Sequence, residues 1–125
     1  MGWTIKTDSV IYALRCTVNG KVYIGRTQNL ERRMREHFLE LKKGRRERTG
    51  DGLLQKDFDR YGVDAFEVYV LEENVPPSKA QEREYAWMLE YRATDPKFGY
   101  NKIGSKEREG FVNLKSGLPP KIIIK

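Results

Sequence analysis

The run VIYALRCTVNGKVYIGRT, Val10 to Thr27, constrains the fold more than any other stretch of the chain. Both halves are rich in β-branched and aromatic residues, which suit a pleated, half-buried surface. Asn19-Gly20 between them is a dipeptide that readily adopts the positive φ of a tight hairpin turn. Ser9–Thr17 and Lys21–Gly25 are therefore expected to pair as an antiparallel hairpin. Tyr12 and Tyr23 then lie on neighbouring strands and, in a suitable register, meet on one face.

The hairpin needs cover, and the following residues supply it. Leu30, Met34, His37, Phe38 and Leu41 recur at helical spacing, with Asn29 as N-cap and Gly44 as C-terminal stop, so a helix is expected over about Leu30–Lys43. The segment LLQKDFDRYG reads as a short second helix with Leu54, Phe58 and Tyr61 on one side. AFEVYVLEE alternates as a third strand packed mainly on one face. After Pro76-Pro77, the Ser78-x-x-Gln81 capping box opens a third helix over about Lys79–Ala93. Its core side is expected to carry Ala80, Tyr85, Trp87, Met88 and Tyr91. Asp95-Pro96 ends it, and Tyr100-Asn101 lies in an extended return. The expected architecture is α+β, a small three-stranded antiparallel sheet flanked by three helices in β-β-α-α-β-α order. Past Gly104 the mixture of charge, glycine and Pro-Pro reads as a tail, with at most one docked strand at Lys121–Lys125.

Composition narrows the function. A chain of 125 residues with 38% hydrophobic and 34% charged residues fits one globular domain. No apolar run is long enough for a membrane span, and the N-terminus lacks a signal-peptide core, so a cytoplasmic protein with no membrane partner is expected. A lone cysteine, Cys16, excludes an internal disulfide; with the single histidine it also argues against structural zinc. Cys16 reads as a small core residue.

The net charge of +6 favours an anionic partner, and its distribution is uneven. Between Arg26 and Arg48 stand nine basic residues against four acidic ones, so this window carries most of the excess. A solvated helix face is the plain alternative for such a run. A nucleic acid is the usual partner of that kind. Arg15, Arg26 and Arg32, with Arg45, Arg46 and Arg48 of the GRRER loop, would track its backbone through phosphate contacts that position without reading sequence.

Taken singly, the remaining polar residues have ordinary structural roles, but their combination suits phosphodiester hydrolysis. Arg33 and His37, four apart, share a helix face. A guanidinium matches phosphate oxygens with a planar donor fork and keeps its charge, which makes Arg33 a candidate clamp. Glu84, on the third helix, is a candidate carboxylate for a cation that keeps most of its own waters. Tyr12 could serve as general base if nearby positive charge, or His37 relaying the proton, favours its phenolate.

The joint order of these residues resembles the GIY-YIG nucleases, named for tripeptides on their first two strands. Here they stand as Val10-Ile11-Tyr12 and Tyr23-Ile24-Gly25; Arg33 and His37 in NLERRMREHF, Glu84 in QEREYAW and Asn101 in GYN match the later motifs. Val10 departs from the family's first glycine, a change that a strand tolerates. The resemblance spans about Ser9 to Ile103, which makes residues 1–103 a catalytic domain and 104–125 a C-terminal tail. The middle of the chain is similar to homing endonucleases of that family. What it implies is metal-dependent DNA hydrolysis with Tyr12 as general base, Tyr23 and His37 assisting, and Arg33 holding the phosphate. It further implies Mg²⁺ or Mn²⁺ on Glu84, with Asn101 organising the site. A monomer or a transient dimer on DNA satisfies this reading. The rival readings are a non-catalytic nucleic-acid-binding accessory module on the same scaffold, which would not need Glu84, and a structural protein.

Overall fold

The computed structural model describes residues 8–44, 52–101 and 121–122. Within them lie β1 (Ser9–Cys16), β2 (Val22–Thr27), α1 (Leu30–Lys42), α2 (Leu53–Tyr61), β3 (Phe66–Val75), α3 (Pro77–Tyr91) and the two-residue β4 (Lys121–Ile122). The sheet is antiparallel, in the order β2-β1-β3-β4. Its body is the expected three-strand unit with three helices. The tail contributes β4, which pairs Lys121 with Tyr69 and Ile122 with Val68; the rest of the expected Lys121–Lys125 strand lies outside the described residues.

The hairpin forms with a looser turn than its sequence suggests. Gly20 takes φ +79° and donates to the Cys16 carbonyl, while Cys16 N–H donates to Lys21 O, so four residues rather than two make the loop. Asn19 explains the difference. Its side chain accepts from Lys21 N–H and donates to Asp57 on α2, tying the turn to a helix. Asp57 also accepts a 2.6 Å hydrogen bond from Tyr100, whose hydroxyl burial and Asp57 together hold protonated far above its ordinary range.

Helix α1 starts as its sequence dictates, with Asn29 Oδ1 accepting from Arg32 N–H. Met34, His37 and Leu41 are buried, and Leu30 and Phe38 pack beside them. Helix α3 differs from expectation. The capping box is not used: Pro76 is the extended N-cap, Pro77 opens the helix, and no side chain caps it. Proline at the first helical position has the right φ and no N–H to satisfy, so the start moves ahead of Ser78. The helix also ends earlier, at Tyr91, with Arg92 in the left-handed region.

The sheet is buried on both faces, not mainly on one. Tyr12, Leu14, Cys16, Phe66 and Val68 pack with Met34, Leu41, Leu54 and Phe58 under α1 and α2. The alternate residues Ile11, Ala13, Val22, Ile24 and Tyr69 pack with Val75, Ala80 and Ala93 on the α3 side, where Trp87, Met88 and Tyr91 border them. Cys16 is fully buried, as expected of a core residue. Glu72 on β3 accepts from both Arg83 and Trp87 Nε1 of α3 at 2.9 Å, fixing that layer. Since side chains alternate across a strand, each residue of β2 is committed to one helical layer or the other. That partition places the functional groups.

Candidate active site

Register sets the two phenols. Tyr12 pairs with Gly25 and Leu14 with Tyr23, so Tyr12 and Tyr23 are diagonal neighbours on the α1 face, with ring centroids 6.5 Å apart. Gly25 lies under the Tyr12 ring. A Cβ at that position would run into the Tyr12 hydroxyl and ring, so only glycine leaves room for the phenol. Beside this cluster β3 carries a bulge: Tyr12 pairs with Val70 but Ile11 with Glu72. Bulges locally re-aim strands, and this one adjoins a candidate catalytic residue.

His37 completes the cluster from α1. Tyr12 Oη and His37 Nε2 share a hydrogen bond of 2.9 Å, both groups being almost fully buried. Tyr23 meets the same imidazole edge-on at 5.3 Å. Arg33, one turn back along α1, is half-buried and donates to Glu36 Oε1 at 3.2 Å. Burial works to lower its pKa, but Tyr12, Glu36 and Tyr23 outweigh that and hold the guanidinium even more firmly charged than usual. Tyr12, Tyr23, Arg33 and His37 therefore converge, as their spacing predicted.

Asn101 touches the site through β2. Its Oδ1 accepts from Ile24 N–H at 2.8 Å and its Nδ2 donates to Ile24 O at 2.9 Å, so one side chain clasps the strand between Tyr23 and Gly25. The segment before Asn101 reinforces this clasp with hydrogen bonds from Tyr100 N–H to Val22 O and from Val22 N–H to Phe98 O. Asn101 thus sets the position of the edge strand that carries Tyr23.

Glu84 sits in the other layer. Val22 and Ile24 face α3, and by alternation Arg26 follows them. Arg26 Nη1 donates to Glu84 Oε1 at 2.8 Å, with side-chain exposures of 39% and 23%. Burial raises the Glu84 carboxyl pKa above the usual range; the charge and hydrogen bond of Arg26 work against the rise without cancelling it. Glu84 therefore approaches β2 from the α3 side and the phenols from the α1 side, rather than all sharing one face: Gly25 accommodates the phenol and the next residue reaches the carboxylate. Sequence reasoning missed this pair, whose members are 58 positions apart. It also missed Gly25 as a clearance for Tyr12, although a glycine inside a strand is a signal for close approach.

The donor chemistry of Glu84 suits a hard divalent cation. A single carboxylate fits Mg²⁺ or Mn²⁺, which can take their remaining ligands from water and phosphate. Among the described residues no group of three His, Cys, Asp or Glu forms a full cage. The expected backbone contacts are dispersed. Arg32 is exposed and loosely paired with Glu36, whereas Arg15 and Arg26 belong to the face opposite the phenols. Arg45, Arg46 and Arg48 lie outside the described residues. Among the described residues no helix is long and apolar enough to cross a membrane.

A family model described as the GIY-YIG catalytic domain matches residues 8–101. Intron-associated endonuclease 1 of Enterobacteria phage T4 is 36% identical over 100 residues, covering 73% of this chain and 39% of that protein. The chain thus spans about two-fifths of that relative's length. Two solved structures of the catalytic domain of the homing endonuclease I-TevI superpose with a TM-score of 0.64. They are 35% and 34% identical, covering 76% and 77% of this chain and 93% and 99% of theirs.

Proposed function

Because this chain belongs to the GIY-YIG family of catalytic domains, we propose that it is a DNA endonuclease domain hydrolysing phosphodiester bonds with help from a divalent cation. The observation that supports this most is the hydrogen bond between Tyr12 and His37 beneath the Arg33 guanidinium. Tyr12 takes a proton from the attacking water as its own phenolic proton passes to His37 Nε2. Tyr23 packs against the imidazole and keeps it aimed at Tyr12. Arg33 neutralises the non-bridging oxygens as the water adds to phosphorus and the bond to the 3′-oxygen breaks. Glu84 is the residue that would hold Mg²⁺ or Mn²⁺; a cation there supplies Lewis-acid stabilisation of phosphate and leaving group. Asn101 organises the site by fixing β2.

DNA as substrate is supported by similarity to an intron-associated endonuclease and to a homing endonuclease, together with the basic excess of the chain. Binding is expected to weaken steeply with salt as phosphate contacts release counterions. Residues 1–103 would carry catalysis and 104–125 would act as a tail that caps the β3 edge through β4.

Nicking of supercoiled plasmid in Mg²⁺ tests the assignment. Wild type should nick, while Arg33→Ala and Glu84→Gln should not. Nicking that persists undiminished in both variants would refute the site, and duplex binding with no cleavage by wild type would favour the accessory-module reading.

A further inference from the structure

The Arg26–Glu84 ion pair has no part in the hydrolysis steps proposed for this site. Arg26 is a neighbour of Gly25 on the edge strand, and its guanidinium occupies one oxygen of the only carboxylate assigned to the cation. A guanidinium and a divalent cation compete for the same charge, and both cannot be satisfied by one carboxylate at full strength. Arg26 is also exposed enough to turn outward, and a DNA phosphate is a better bidentate partner for arginine than a single carboxylate oxygen.

We infer that Arg26 is a positioning residue that occupies Glu84 in the free protein and moves to substrate phosphate on binding, so that cation uptake is coupled to DNA contact. This rests on the assignment of Glu84 as the cation's ligand. The arrangement has a physical rationale beyond competition. Glu84 is largely shielded from water, so its carboxylate needs a counter-charge at every stage. Arg26 supplies that charge before the cation arrives, and phosphate accepts Arg26 when the cation replaces it. Glu84 has a cationic partner in both states, and no step leaves its half-buried carboxylate alone.

The coupling predicts a property of the protein without DNA. Mn²⁺ binding, followed by the loss of the free-ion electron paramagnetic resonance signal at pH 8, should be weak in wild type and about fivefold tighter in Arg26→Ala, the change expected from removing a partly exposed ion pair. Arg26→Lys, which retains a cation at this position, should restore weak binding. Arg26→Gln, nearer in length to arginine, serves if the alanine variant fails to fold. Glu84→Gln should lose the site in either background. Affinity in Arg26→Ala no greater than in wild type, with Glu84→Gln still reducing it, would overturn the coupling alone. Unchanged affinity in Glu84→Gln would instead remove Glu84 as the ligand, and the coupling with it.

Discussion

The two faces of edge strand β2 solve opposite problems. On the α1 side, Tyr12, Tyr23 and His37 form a packed aromatic cluster whose members touch by ring contacts and one buried hydrogen bond, with Arg33 as the charged lip. On the α3 side a single ion pair stands at a partly exposed rim. A packed cluster keeps its geometry whether or not substrate is present, because rotamers in a dense core have few alternatives. A pair at a partly exposed rim costs less to break than one in a dense core, provided another charge takes the place of the one removed. Precision on one face and exchangeability on the other suit a site in which proton transfer must be pre-aligned while charge must be handed over.

Disrupting either face should separate rate from stability, and the largest effects fall on rate. Arg33→Ala and Glu84→Gln should each reduce single-turnover cleavage by roughly 10²–10³-fold, the range for losing one charge-stabilising group. Glu84→Gln should leave the fold at least as stable at pH 8. The sign follows from burial: native Glu84 holds its proton to higher pH than the unfolded chain does. Its contribution to stability is therefore present at acid pH and is lost as pH rises from the ordinary carboxylate range through the raised value. A melting temperature well below wild type would contradict this sign.

The aromatic face should break by packing. Gly25→Ala pushes a methyl group into Tyr12 and should cost about 1–3 kcal/mol in denaturant unfolding. It should also lower cleavage by displacing Tyr12 from His37. An alanine variant as stable and active as wild type would mean that the ring has room that the register denies it. A smaller effect is expected of Asn101→Ala, which removes both hydrogen bonds to Ile24, about 1–2 kcal/mol in all. Asn101→Asp keeps the acceptor for Ile24 N–H but sets a carboxylate oxygen against the Ile24 carbonyl, so it should recover none of this.

These faces differ in how much of them can be read from the chain. The phenol cluster was legible because each of its constraints is local: Asn19-Gly20 sets the hairpin, and four-residue spacing puts Arg33 and His37 on one turn of α1. Burial on both sides of the sheet was not, because AFEVYVLEE alternates in apparent size without saying that Tyr69 too is covered. The start of α3 was misplaced because Ser78 and Gln81 match a capping pattern while Pro77 already provides a better opening. Arg26 was legible only as charge. Nothing local connects it to a glutamate on a later helix; the pairing arises from strand alternation combined with the side of the sheet on which α3 packs.

The smallest stability effect belongs to Arg26, and it sharpens the contrast between the faces most. Its bond to Glu84 is charge-assisted but sits at the rim, so Arg26→Ala should cost no more than about 1 kcal/mol, less still at high salt. Gly25→Ala, one residue away, should cost more while removing no charge. Unfolding both variants in urea at low and at high salt separates the causes. The Arg26 effect should shrink as salt screens the pair, whereas the Gly25 effect should not change. If the Arg26 effect proved large and indifferent to salt, its stem and not its charge would be holding α3 against the sheet, and an easily exchanged ion pair would no longer describe that face.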